Sequence, residues 1–225
     1  MIRSRLFQRV LLAIGVALLA GCATKPGYDY TAFRESRPKS ILVLPPLNDS
    51  PDVNATYSMY AQTTLPLAES GYYVLPVTLV DEAFRQNGLT SPADIQQVPL
   101  KKLYEIFGAD TALYIKVTHY GTKYLIISSE TRVSAEAKLV DLRSGATLWE
   151  GTATASSEEG NNNSSGGVVG LLVKAVITQI ADTLSNRGHP IAGITASRLL
   201  SAGRPNGILY GPRSPKYQKE GSPAP

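Results

Sequence analysis

Between residues 39 and 202 the chain switches repeatedly between short apolar runs and helical periods. Lys39-Ser-Ile-Leu-Val-Leu-Pro45, a short apolar run closed by Pro45-Pro46, predicts a buried strand. Residues 53–70 read as helical with a kink or a fresh start near Pro66, and Gly71 ends them. A second strand is predicted over 72–77, with Pro76 at an end or an edge. Thr78-Leu-Val-Asp81 has the pattern of a capped helix start and Gly88 stops that helix. Ser91-Pro92 opens another helix with proline at its first position, and a third follows Pro99 and stops at Gly108.

The period then drops to two. Residues 111–118 read as a strand. In 131–139, Thr131, Val133, Ala135, Ala137 and Leu139 share one face, and Arg132, Ser134, Glu136 and Lys138 share the other. That alternation predicts a half-buried strand with one wet face. Residues 141–145 form the turn, and 146–155, with Trp149, the return strand. Residues 156–167 are rich in Ser, Asn and Gly and read as a mobile loop. Residues 168–184 have apolar positions at helical spacing and read as a core helix, and 190–202 as one more helix. The order predicts an α/β fold: a single domain with a mixed sheet of about five strands, an antiparallel meander, and helices packed on the sheet.

The two ends behave differently. Residues 10–20 are apolar throughout and follow Arg3, Arg5 and Arg9 with no acid among them. Eleven helical residues span about 16 Å, short of a hydrocarbon core of about 30 Å, so this is a signal peptide rather than a span. It ends in Leu19-Ala-Gly-Cys22, a lipobox, and Cys22 is the only cysteine in the chain. The expected division is a lipoprotein signal peptide at 1–21, a tether at 22–38, the α/β domain at 39–202, and a Pro-rich tail at 203–225, disordered or draped on the surface. Tyr28, Tyr30 and Phe33 give the tether aromatic groups able to dock back on the domain. Acylated Cys22 anchors the protein to a lipid bilayer without crossing it, since two or more acyl chains make a stable anchor. Ala23 after the cysteine favours passage to the outer membrane, facing the periplasm.

Composition narrows the chemistry. The 225 residues carry 22 Lys and Arg against 18 Asp and Glu, a charge of +4, but without the first 21 residues the balance is 19 against 18, or +1. That near-neutral charge argues against nucleic acid as a partner and against an electrostatic membrane patch. One cysteine excludes an internal disulfide and a cysteine-based zinc site, and no cofactor is implied. His119 on a strand, near Glu105 and Asp110 in sequence, and His189 before Pro190 read as structural or solvent-facing. Asp81 and Glu82 read as favourable charge on the first turn of a helix. The Gly-rich stretch 160–167 precedes a helix, but Glu158 and Glu159 beside it would repel a phosphate. Twelve tyrosines, among them Tyr57, Tyr60, Tyr72, Tyr73, Tyr114, Tyr120 and Tyr124, fit either packing or a protein–protein surface. An exposed strand edge near 123–127 would be able to pair with a second copy.

Several strings together resemble a known family. They are 65–77 (Leu-Pro-Leu-Ala-Glu-Ser-Gly-Tyr-Tyr-Val-Leu-Pro-Val), 84–90 (Phe-Arg-Gln-Asn-Gly-Leu-Thr), Ile106-Phe-Gly-Ala-Asp110, and the late Asn206-Gly-Ile-Leu-Tyr-Gly-Pro-Arg213. Over residues 22–213 the chain resembles a bacterial outer-membrane lipoprotein family typified by a meningococcal genome-derived antigen. The resemblance implies a compact domain similar to the amino-terminal domain of TolB and to curli-secretion and penicillin-binding-protein-activator lipoproteins. It further implies a homodimer, and it supplies no catalytic residues. The expected function is non-enzymatic: an accessory or assembly component of an envelope transport or secretion complex. The alternative is an activator or binder of cell-wall synthesis enzymes.

Overall fold

The computed structural model describes residues 27–124, 129–160 and 187–219. Its sheet has six strands: β1 (Ser40–Val43), β2 (Leu47–Asn48), β3 (Tyr73–Val74), β4 (Thr111–Tyr124), β5 (Ser129–Asp141) and β6 (Thr147–Ser156). The order is β3-β1-β4-β5-β6, with β2 also on β4. Pairing is parallel for β3 with β1 and for β1 and β2 with β4, and antiparallel from β4 to β6. The expected mixed sheet with a meander is therefore present.

The sixth strand has a local cause. Pro45-Pro46 offers no amide donors, so the chain leaves β4 after Leu44, whose amide still donates to the Leu113 carbonyl at 3.1 Å, and resumes at Leu47 against Lys116. Gln96 donates to the carbonyls of Pro45 and Ile115 at 2.9 and 3.2 Å and fills part of that gap. The predicted strand over 72–77 is only two residues long, because Pro76 already opens the next helix.

Seven α-helices are described: α1 (Thr31–Ser36), α2 (Ala55–Ala61), α3 (Thr64–Glu69), α4 (Val77–Gln86), α5 (Pro92–Ile95), α6 (Leu100–Phe107) and α7 (Gly188–Leu200). Pro66 lies in the first turn of α3, so the helical stretch 53–70 is two helices. Period-two alternation sorts β1 onto two cores. Ile41 and Val43 join Leu113, Ile115, Val133 and Leu139 beneath α2, α3 and α7. Leu42 and Leu44 join Val80, Phe84, Ile95 and Leu103 of α4, α5 and α6 on the opposite face. Burying one such Leu or Ile is worth about 1.5–3 kcal/mol. On β5, residues 131, 133, 135, 137 and 139 are buried and Arg132, Glu136 and Lys138 exposed, as the alternation requires.

At both ends the described residues lie against the domain. Within the stretch read as a tether, α1 forms and Phe33 is buried, with Tyr30 edge-on to it and Tyr28 against Tyr30. The described part of the tail is draped rather than loose. Ile208 is 1% exposed, and Gly211 and Arg213 donate backbone N–H groups to the carbonyls of Ser70 and Gly71 at 2.8 and 3.0 Å. Pro-rich chain forms no helix or strand of its own here, yet its amides find acceptors in the turn before β3. Of the loop expected to be mobile over 156–167, Ser156 ends β6 and Ser157–Gly160 form a single tight helical turn in which Glu159 pairs with Arg198 at 2.6 Å, so its first five residues are ordered. The signal peptide, residues 161–167 of that loop and the core helix expected over 168–184 lie outside the described residues.

Candidate functional site

The two ends of the described chain meet. The amide of Tyr28 donates to Asn206 Oδ1 at 3.1 Å, and the Tyr30 hydroxyl donates to the carbonyl of Gly207. The Trp149 indole N–H donates to the carbonyl of Asn206 at 3.0 Å, and the Tyr72 hydroxyl to that of Leu209 at 2.6 Å. So the segment from Tyr28 through α1 and residues 203–219 lie side by side, running from Trp149 of β6 to Tyr72 just before β3.

Between them is a cavity of about 480 Å³ lined by Phe33, Arg34, Arg37, Tyr72, Tyr210 and Tyr217, with Pro38, Leu209 and Gln218. Its walls are aromatic and its rim is cationic. Arg37 and Gln218 both hold left-handed backbone, with φ of 49° and 59°. Non-glycine residues adopt that conformation at a cost, and both do so on this rim. The Arg37 Nε–H reaches the carbonyl of Arg34 at 3.4 Å. Lys216 lies over the ring of Tyr210 at 5.4 Å and Arg213 over that of Tyr73 at 5.2 Å.

The histidines and carboxylates singled out in the sequence resolve into structural roles. His119 is half-buried beside a register shift in β4, and about 30 Å of strand separates it from Asp110. Glu105 is bonded to Lys102 at 3.1 Å, and Asp110 Oδ2 accepts the Lys39 and Ser40 amides and the Ser40 hydroxyl at 2.9–3.1 Å. Asp81 and Glu82 are not at the start of α4, which begins at Val77 without a side-chain cap. They bond Arg85 and Gln86 one turn later, so the reading as first-turn charge is corrected. Among the described residues no group of three or more His, Cys, Asp or Glu is arranged to hold a metal ion, and no helix is long and apolar enough to cross a membrane.

One polar constellation is invisible in sequence order. Ser58 Oγ lies 2.9 Å from His189 Nδ1 and accepts the Tyr120 hydroxyl at 2.9 Å, while Gln62 Nε2 lies 2.8 Å from His189 Nε2. Ser58 and His189 are 131 residues apart, which is why neither suggests the other. Ser58 and Tyr120 are buried, and the set fastens α2 to α7 beneath β4. Gly188 permits the close approach, since a Cβ there would meet the Tyr120 ring at 2.4 Å. Cys22, the expected lipid attachment residue, lies outside the described residues, five positions before Gly27.

Known proteins match over almost the whole domain. The family model described as "Putative lipoprotein GNA1162-like" matches residues 28–213. A Neisseria meningitidis serogroup B protein described as "Putative lipoprotein NMB1124/NMB1162" is 52% identical over 206 residues, covering 91% of this chain and 95% of the relative. The crystal structure of lipoprotein GNA1162 from Neisseria meningitidis is 56% identical, with a TM-score of 0.53, and the match covers 65% of this chain and 100% of that one.

Proposed function

The chain belongs to the GNA1162-like lipoprotein family, and from that premise we propose that it is a non-enzymatic, lipid-anchored component of an envelope transport or secretion assembly. Acylated Cys22 holds it on the outer membrane facing the periplasm, where it works as a homodimer with other envelope proteins.

What carries this reading is the exposed apolar surface of a domain whose relatives are lipoproteins. Tyr57 of α2, Leu65 of α3 and Leu79 of α4 are 45%, 66% and 67% exposed, although both cores lie within reach of the same helices. Arg85 of α4 donates to the Tyr57 hydroxyl at 2.8 Å and stands over its ring at 5.8 Å, joining the surfaces of α2 and α4. Aromatic and Arg groups in such a setting suit the centre of a protein interface.

Crosslinking in intact cells, followed by mass spectrometry of captured partners, tests the proposal, with a Cys22→Ser strain as control. Transport or secretion proteins captured only by the acylated form support it. Capture of cell-wall synthases would replace it with the activator reading. Wild-type phenotype and capture in the Cys22→Ser strain would sink both.

A further inference from the structure

The cations of this molecule are not evenly treated. Arg85, Lys101, Lys102, Lys116, Arg132, Lys138, Arg143 and Arg198, all in the body of the domain, each have a carboxylate within 4.0 Å. Residues 27–39 and 203–219 carry Arg34, Arg37, Lys39, Arg204, Arg213, Lys216 and Lys219 against only Asp29 and Glu35, a local charge of +5. None of those seven has a carboxylate within 4.0 Å among the described residues. The rest of the mature chain has 12 basic and 16 acidic residues, or −4. A net charge of +1 therefore conceals a basic end on an acidic body.

That end is also the anchored end. Five residues lie between Cys22 and Tyr28, which is clipped to Asn206, and the six steps from one to the other reach at most about 20 Å. The helix that follows, α1, supplies Arg34 to one wall of the aromatic cavity, with Arg37 just beyond it, and the 209–218 stretch supplies the other. Guanidinium groups pair with phosphate oxygens in two-point fashion, and tyrosines favour the boundary between headgroups and hydrocarbon.

We infer that the cavity and its basic rim form a docking site for anionic phospholipid headgroups of the anchoring leaflet, with Arg34, Arg37 and Lys216 facing the phosphates. The inference rests on the lipid-anchor reading for its geometry. It makes the acylated cysteine one of two membrane contacts and fixes which side of the domain faces the bilayer.

Flotation with vesicles tests it, using the complete mature chain with Cys22→Ser so that no acyl chain contributes. Binding is expected to vesicles containing about 30% phosphatidylglycerol, to be weak to pure phosphatidylcholine, and to fall steeply as salt rises from about 0.05 M to about 0.5 M. The triple variant Arg34→Gln, Arg37→Gln, Lys216→Gln should lose on the order of 100-fold in partitioning, about fivefold per charge. The control Lys101→Gln, Lys102→Gln, Lys138→Gln should stay within about twofold of the parent. Unchanged Trp149 emission verifies that each variant is folded. Equal binding to both vesicle types, or full binding by the triple variant, overturns the proposal. Complete displacement by glycerol phosphate overturns it in favour of a soluble phosphate ligand, and a changed oligomeric mass in the triple variant overturns it in favour of a second copy. Mass spectrometry of Cys22 from membranes tests the anchor separately: absent acyl chains with intact vesicle binding would remove the anchor and leave the site.

Discussion

Asp141 shows how much a single carboxylate holds. It is 3% exposed, and it accepts the amides of Arg143 and Ser144 at 2.9 and 2.8 Å and the hydroxyl of Ser36, tying α1 to the β5–β6 turn. Burial pushes its pKa up, but the hydrogen bonds from Ser36, Ser144 and Arg143 together outweigh burial and hold it below the ordinary value of 3.8. A folded-state pKa below the unfolded one gives stability that is complete above the unfolded value and is lost as pH falls through the folded value. Asp141→Asn should therefore cost about 1–3 kcal/mol at neutral pH, and the gap from the parent should close below about pH 4 in urea denaturation. Gly71 is the backbone counterpart. Its φ is +98°, and an added Cβ would meet the Ser214 nitrogen at 2.5 Å and the Gly211 oxygen at 2.8 Å. Gly71→Ala should lose about 2–4 kcal/mol, read by the same denaturation. The sequence marks Gly71 as a helix stop, but its packing against residues about 140 positions later has no local signal.

At the scale of elements, period and punctuation carry far where interactions are local. The alternation over 131–139, Pro92 at the first turn of α5, and Gly108 in left-handed conformation after α6 are all where local rules put them. The terminal segments are less legible because what orders them is distant. Phe33 finds its core, and residues 206–213 find acceptors on the Ser70–Gly71 turn and a donor in Trp149, only once the sheet exists. The cavity between those segments accordingly has no signature in the pattern of residues, since the stretches that read as tether and tail are its two walls. Deleting residues 203–225 should uncover the sole tryptophan, Trp149, now 1% exposed. Its emission should shift to the red and the urea midpoint should fall. An unchanged spectrum would mean that the segment contributes no cover to the indole.

For the whole molecule, charge summed over the chain is the misleading quantity. It argues against a membrane patch because body cations held by carboxylates, such as Arg132 and Arg198, and end cations with no carboxylate within 4.0 Å count alike, while the latter keep more of their field for a partner. Assembly belongs to this scale too. The unacylated mature chain is expected to scatter light with twice the mass of one copy, and a single-copy mass at every concentration would remove the homodimer from the proposed function. The clip between the chain's ends also bears on time. Tyr28 and Tyr30 bond to residues 178 and 177 positions away. A chain is made and exported from its beginning, so those partners are among the last to arrive. Until then Tyr28 and Tyr30 have nothing to close on. Arrival of Asn206 and Gly207 closes the clip as the domain is completed, so the order in which these contacts form is written into which residues meet.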